Sequence, residues 1–322
     1  MSNARKLADN LPKEGQLSGR NKLVNGAMQI WQRGTSFSAA SAAYNADRWS
    51  VDNNGGGGGQ STDAPDGFTY SLKIDPSSGN AALRQAIELP AAGEGGVFRS
   101  GQKFTLSFYL KSANAGEAIN IFAASGTTVS ATTTAQVNDT STGLTTATSW
   151  TRYTYTFTSN NVGGSDTCYN IVPYVSSPSG ATYWTGFQLE EGSQATPFEH
   201  EPKSVTLRKC QRYFYLETPT STDSSGRLGV CSHSTTVVFD HTLPVQMRTK
   251  PSLSLTSASL RIGDTVSQGF TTSSGTVAQN TYSGTQSITY ILGGFSGLTT
   301  YRTYLHEPDA ASPGMVKFSA EF

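Results

Sequence analysis

Apolar and polar residues alternate with period two through most of the chain, the pattern of strands with one buried face. In residues 103–111, Phe104, Leu106, Phe108 and Leu110 fall on one side of the strand. In 151–158, Tyr153, Tyr155 and Phe157 alternate with threonines. Further strands are predicted at 68–74, 81–89, 118–124, 168–175 and 181–189. Upstream, 21–37 mixes apolar positions with a turn signal at Asn25-Gly26. The segment 44–51 reads as another strand, with Asp47-Arg48 as an ion pair or turn contact. Many short strands at near-regular spacing, without helix signals, predict a β-sandwich or jelly roll.

The segment 183–215 divides the chain. Its first part is the last strand of the sandwich, and Pro197 and Pro202 then hold the backbone extended. From Ser204, a hydroxyl residue able to cap a helix, a short helical stretch leads into aromatic residues. Beyond it, 227–232, 235–241, 252–263, 286–294, 299–307 and 315–322 alternate again. The fold class is therefore all-β: an N-terminal jelly-roll sandwich over 21–198, a hinge over 199–215 and a smaller β domain over 216–322. Sparse apolar residues and exposed edges predict that this smaller domain shares surface with a neighbouring chain. Residues 1–20 are polar except for Leu7, Leu11 and Leu17, and read either as a disordered terminus or as an anchoring arm.

Composition narrows the function. Of 322 residues only 14% are charged and the formal net charge is zero, which argues against binding a polyanion such as nucleic acid. No apolar run reaches the ~18 residues a membrane span needs, and the N-terminal residues lack the apolar core of a secretion signal. The three cysteines, Cys168, Cys210 and Cys231, are too few and scattered for a disulfide scaffold. Synthesis in a reducing cytosol is expected.

Candidate chemistry is thin. Gly55–Gly59 lacks the Lys-Ser/Thr pair and following helix of a phosphate loop, so it reads as a flexible connector. Glu190 and Glu191 are adjacent on a strand and point to opposite faces, so they cannot flank one glycosidic bond. Glu199 and Glu201 sit in a proline-bounded linker. Cys210, Cys231 and His233 lack the paired spacing of a zinc site. No Ser sits in a nucleophile elbow. Catalytic residues and cofactors are not expected.

Aromatic rings are the more promising groups, because sugars lay their apolar faces on them. Trp31, Trp49, Trp150 and Trp184 all lie in or beside strands, where core packing is the expected role. Tyr282, Tyr290, Tyr301 and Tyr304 sit near Ser- and Thr-rich turns and are either a surface ligand patch or cross-strand packing.

Several segments resemble phage virion and tail proteins. NKLVNGAMQIWQRGTSF followed by YNADRWSV is similar to the opening of a carbohydrate-binding-like jelly-roll module. FTLSFYLKS, WTRYTYTF and GFQLEEGSQATPFEH resemble its later strands in order, and a CQRYF-type segment follows. LPVQMRTKPSL and the terminal VKFSAEF resemble the end of such proteins. The resemblance implies a non-enzymatic tail-fibre or appendage adhesin, made in the host cytoplasm and carried in the virion after lysis. It implies docking on other virion proteins through Leu7, Leu11 and Leu17, a homotrimer, and contact with host surface polysaccharide. A capsid- or tail-decorating protein and a glycan depolymerase with an intersubunit site are the alternatives. Such modules often carry calcium, for which Asp47, Asp52 and Glu190 are the candidates; the sequence does not show the six or more oxygens converging. No metal is therefore assigned.

Overall fold

A computed structural model describes residues 19–38, 43–52, 56–90, 98, 100–129, 132–159, 162, 165–217, 227–267, 269–308 and 313–322. Leu7, Leu11 and Leu17 lie outside the described residues. The chain forms two compact units, 1–206 with Phe322 and 207–321.

The first unit contains β1 (Ser36–Phe37), β2 (Ala43–Tyr44), β3 (Ser50–Asp52), β4 (Gly57–Ser61), β5 (Ser71–Asp75) and β6 (Ala81–Glu88). Then come β7 (Lys103–Ser112), β8 (Ala118–Gly126), β9 (Thr132–Thr145), β10 (Thr151–Thr158), β11 (Cys168–Val175) and β12 (Thr182–Glu191). They build two six-stranded antiparallel sheets, ordered β1-β4-β5-β12-β7-β10 and β2-β3-β6-β11-β8-β9. If β5 to β12 are lettered B to I, the inner orders are B-I-D-G and C-H-E-F. Consecutive strands from B to I thus alternate between sheets except at the E–F hairpin, as in a jelly roll.

The alternation explains the core. Phe104, Leu106, Phe108 and Leu110 of β7 and Trp184 and Leu189 of β12 are fully buried against Ile119, Ile121 and Ile171 of the other sheet. Phe108 stacks on Phe187, with ring centroids 5.3 Å apart. The side chain of Trp49 is also fully buried, 4.5 Å from Phe187 between ring centroids.

Two expectations are corrected here. Within the glycine run, Gly57–Gly59 is not a flexible connector: Gly57–Ser61 is strand β4, paired with β1 and β5, while Gly55 lies outside the described residues. Added Cβ atoms at Gly58 and Gly59 would collide with the carbonyl oxygens of Lys73 and Thr35, so only glycine lets these backbones approach. The segment 44–51 is not one strand but the β2–β3 hairpin, closed by hydrogen bonds from Asn45 N to Trp49 O (2.9 Å) and Trp49 N to Ala46 O (2.8 Å). Arg48 takes a φ of 73° in that turn and donates to the Ala86 carbonyl. Asp47 receives the Gln32 amide at 3.0 Å and pairs with Arg33 at 3.6 Å, so both residues serve the turn.

Helix α1 (Lys203–Gln211) begins one residue before the expected Ser204 cap, with the Pro202 carbonyl accepting the amides of Val205 and Thr206. Arg208 and Lys209 face the negative end of its dipole. Of the aromatic residues after it, Phe214 and Tyr215 lie in a strand.

The second unit holds β13 (Phe214–Leu216), β14 (Arg227–His233), β15 (Thr236–Thr242), β16 (Ser252–Leu255) and β17 (Ser259–Asp264). It continues with β18 (Phe270–Ser274), β19 (Thr276–Gln279), β20 (Ser287–Gly293), β21 (Thr303–His306) and β22 (Val316–Ser319). A three-stranded sheet, β13-β22-β16, accompanies a seven-stranded one, β18-β17-β21-β14-β15-β20-β19. Phe239, Tyr290, Leu292, Ile262 and Phe318 fill its core.

Candidate functional site: an aromatic and cationic row on the outer face of the first sheet

The inward positions of β7, β10 and β12 are fixed by Phe108, Tyr153 and Trp184, so period two sends their neighbours to the opposite face. Lys111 of β7 opposes Tyr183 of β12, and Tyr183 opposes Lys73 of β5. Trp150 precedes Thr151, the partner of Leu110, and so extends the row on the far side of Lys111. The order Trp150, Lys111, Tyr183, Lys73 therefore crosses four strands at about 4.8 Å per step. In the next row Arg152 opposes Tyr109.

Trp150 and Tyr183 are half-buried, with part of each residue open to solvent. The Trp150 indole N–H donates to Asp63 at 2.9 Å, which ties the ring in place. The other Asp63 oxygen accepts from Lys111 at 2.6 Å. Lys111 chiefly, with help from Trp150, holds the Asp63 carboxyl below its ordinary value against the opposing effect of burial. The Lys111 ammonium also lies 5.5 Å from the Tyr183 ring centroid, within cation–π range. Lys73 pairs with Asp75 at 2.9 Å, a contact that raises its ammonium pKa. The row thus offers two oriented rings separated by a charged donor, with carboxylate oxygens beside them. Such a surface can stack on the apolar face of a ring and hydrogen-bond hydroxyls at its edge.

A second aromatic group lies on this face. Phe68 packs 5.4 Å from Tyr109, 4.9 Å from Phe198 and 5.2 Å from His200 between ring centroids. Gly186, at φ 67°, lies beneath two of these rings, and a Cβ there would strike both Tyr109 and Phe68.

The tryptophans separate by parity. Trp49 and Trp184 are core residues and Trp31 packs against the core, as expected. Trp150 departs from that expectation. The signal was present in its own strand: Tyr153, Tyr155 and Phe157 define the inward set, and Trp150 has the opposite parity.

The four tyrosines proposed as a ligand patch do not come together. Tyr290 is fully buried and its hydroxyl donates to Glu217 at 3.5 Å. Tyr304 is also buried and its hydroxyl accepts the Thr299 amide at 3.0 Å. Both occupy inward positions of their strands, which removes them from any surface patch. Tyr282 and Tyr301 are 89% and 85% exposed. Tyr282 lies in the β19–β20 turn, near Ser287 and its partner Thr242. Tyr301 donates its amide to Cys231, near the β14–β15 turn and Thr236. The length of β15 separates the two ends by roughly 20 Å.

The acidic candidates are each occupied by protein groups. Glu190 accepts from the Thr196 amide at 3.0 Å and from its hydroxyl, while Glu191 pairs with Lys22 at 3.2 Å. Glu199 accepts the amides of Gly19, Arg20 and Asn21. Asp52 pairs with Arg84 at 2.9 Å. Among the described residues no three His, Cys, Asp or Glu side chains converge as a metal site would require. Asp47, Asp52 and Glu190 thus have separate neighbours. Cys231 donates its thiol to the His233 carbonyl at 3.0 Å, and burial raises that thiol's pKa.

The densest ionisable cluster lies inside the second unit. Glu217 is fully buried, 3.2 Å from Arg227 and 3.5 Å from His306. Burial acts to raise its carboxyl, but His306, Arg227 and His241 outweigh that and leave it below its ordinary value. His306 Nε2 donates to the Gly314 carbonyl at 2.9 Å. Burial, with the Arg227 charge 3.2 Å away, lowers His241 to about 4 despite the attraction of Glu217. With Glu217, His241 and His306 at most 1% exposed, this network has the place of a structural core.

No protein-family model matches the sequence, and no curated protein matches it. Among solved structures, an arabinose-bound GH51 α-L-arabinofuranosidase is 11% identical, with a TM-score of 0.34 over 52% of this chain and 26% of that one. A carbohydrate-binding module, CBM4, is 12% identical, with a TM-score of 0.31 over 46% of this chain and 97% of its own. The enzymatically active domain of tailspike protein 4 of bacteriophage CBA120 is 12% identical, with a TM-score of 0.30 over 54% of this chain and 22% of that one. These matches join binding modules and enzymes, and at such identities and scores they decide nothing about activity.

Proposed function

We propose that the chain is a non-enzymatic glycan-binding protein of a phage virion, in a tail fibre or similar appendage. The observation that carries the binding is the row of Trp150, Lys111, Tyr183 and Lys73, with Trp150 held by Asp63. A sugar ring lays its apolar face on Trp150 or Tyr183, while Asp63, Lys111 and Arg152 meet its hydroxyls. The row lies on a sheet, where the backbone is rigid, so little ordering entropy is lost on contact. Binding at one site is weak, and many copies on a particle supply avidity. The virion setting rests on the sequence segments that resemble phage tail proteins. The docking role of the N-terminal arm, through Leu7, Leu11 and Leu17, belongs to the same reading.

The test is binding of the full chain to host surface polysaccharide, compared with Trp150→Ala. Losing one stacked ring removes about 1.5–3 kcal/mol, or about ten- to a hundredfold in affinity. Unchanged binding by the variant would remove the row from the mechanism, and absence of binding by the wild type would favour a decorating role. Sustained release of reducing ends from the polysaccharide would overturn the non-enzymatic reading in favour of a depolymerase.

A further inference from the structure

The cations on the outer face of the first sheet are not all matched. Lys111 has Asp63 at 2.6 Å and Lys73 has Asp75 at 2.9 Å, so each cation of the row already carries its own carboxylate. Arg152 differs. Among the described residues no Asp or Glu oxygen lies within 4.0 Å of its guanidinium, and its Nε and Nη1 donate to no protein group. Nη2 alone is used, donating to the Ser107 hydroxyl at 3.0 Å and to the Thr196 carbonyl. Thr196 is itself fixed, because Glu190 accepts its amide at 3.0 Å and its hydroxyl as well. Gln188 donates to the adjoining Pro197 carbonyl at 3.2 Å. Both Glu190 oxygens are thus taken up by Thr196. The guanidinium is a held, half-buried cation with two nitrogens left for an outside acceptor.

Its place ties this cation to the aromatic row. Arg152 and Trp150 are two residues apart on one face, roughly 7 Å along the strand direction. Arg152 opposes Tyr109, whose next outward neighbour on β7 is Lys111. The exposed Thr154 follows on the same face of β10. Taking the row as a glycan-binding site, we infer that its sugar chain is acidic, and that Arg152 holds the carboxylate of a uronic sugar adjoining the one stacked on Trp150. An ionised carboxylate is the sugar substituent that best answers a guanidinium with free donors, since charge-assisted hydrogen bonds are about twice as strong as neutral ones. The two Nη2 bonds set the guanidinium plane in advance, so little rotamer entropy is lost when the carboxylate arrives. With Lys111 and Lys73 matched, the row and its neighbour carry one unmatched charge. That suits one carboxylate per site and not the dense charge of a nucleic acid.

The test is an array of bacterial capsular oligosaccharides printed in pairs, each uronate-containing oligomer beside its carboxyl-reduced form, and probed with the full chain. Reduction turns each carboxylate into a neutral primary alcohol and leaves the ring intact. The wild type is expected to bind uronate members at least about tenfold more tightly than their reduced partners. This preference is read on the wild type and does not depend on how a variant folds. Arg152→Gln, which keeps a donor but no charge, should bind the two members of a pair alike. Trp150→Ala should weaken both members and keep the preference. Equal wild-type binding to both members, weakened in Trp150→Ala, would overturn the acidic assignment and leave the row as a site for neutral sugars. Binding that survives reduction but falls in Arg152→Gln would overturn the carboxylate in favour of a sulfate or phosphate group. A preference retained by Arg152→Gln would remove Arg152 from the recognition. Binding to no member of the array would remove the glycan site and its preference together.

Discussion

Acid should loosen the second unit, with His241 as the main cause. His241 is 1% exposed, stacked 5.4 Å from Tyr215 and beside Arg227, and its folded-state pKa is lowered from 6.5 to about 4. A group with a depressed folded pKa stabilises the fold above its unfolded value. That contribution disappears as pH falls through the folded one. The window is therefore about pH 6.5 to 4, and the full loss is about 3 kcal/mol, taking 1.36 kcal/mol per pH unit. Glu217, also held below its ordinary value, adds a loss of the same sign at still lower pH. All four tryptophans lie in the first unit, so their fluorescence serves as an internal control. Hydrogen exchange of the Val237–Phe239 amides, corrected for intrinsic rate, reports the second. Protection there should fall by two orders of magnitude between pH 7 and 4 in the wild type. In His241→Phe, which keeps the stacking but cannot titrate, that fall should be absent. An equal pH dependence in the two proteins would refute the assignment.

Two further outcomes follow from backbone contacts. Gly58→Ala should destabilise the first unit by about 1–3 kcal/mol, as overpacking against fixed backbone does, because its Cβ would meet the Lys73 carbonyl and the Phe37 ring; urea unfolding followed by tryptophan fluorescence measures it. Glu199→Ala removes the acceptor of the Gly19, Arg20 and Asn21 amides. Charge-assisted bonds of this kind are worth about 1.5–3 kcal/mol when buried and less here, where one is exposed, and faster exchange of those amides should accompany an unchanged core.

What could be read from the sequence follows from side-chain pattern. β7 and β10 announce themselves because Phe, Leu and Tyr alternate with small polar residues, and β11 and β12 because aromatic and β-branched residues are dense in them. β4 has no such pattern: its glycines carry no side chain to alternate, and its identity rests on how closely β1 and β5 approach it. β9, with six threonines among its 14 residues, likewise lacks an alternating apolar set. The turn inside 44–51 shows in the sequence only as a slip of parity, Tyr44 and Ala46 falling on one phase and Trp49 and Val51 on the other, while Arg48 adopts a left-handed backbone. The candidate site was half legible. Parity alone assigns Trp150, Lys111 and Tyr183 to one face, but the register that sets them side by side is a tertiary fact. The same parity would have placed Tyr290 inside, since its neighbours Ile288 and Leu292 share its face. The outward Leu228 and Val230 show the converse limit: an apolar residue in a strand does not have to face the core.

The most direct measurement is isothermal titration of the full chain with oligosaccharides from host surface polysaccharide, carried out on the wild type, Trp150→Ala and Asp63→Ala. The proposed site predicts a ten- to hundredfold weakening for Trp150→Ala and a smaller one for Asp63→Ala, which frees the indole without removing it. Equal affinity for all three proteins would contradict it.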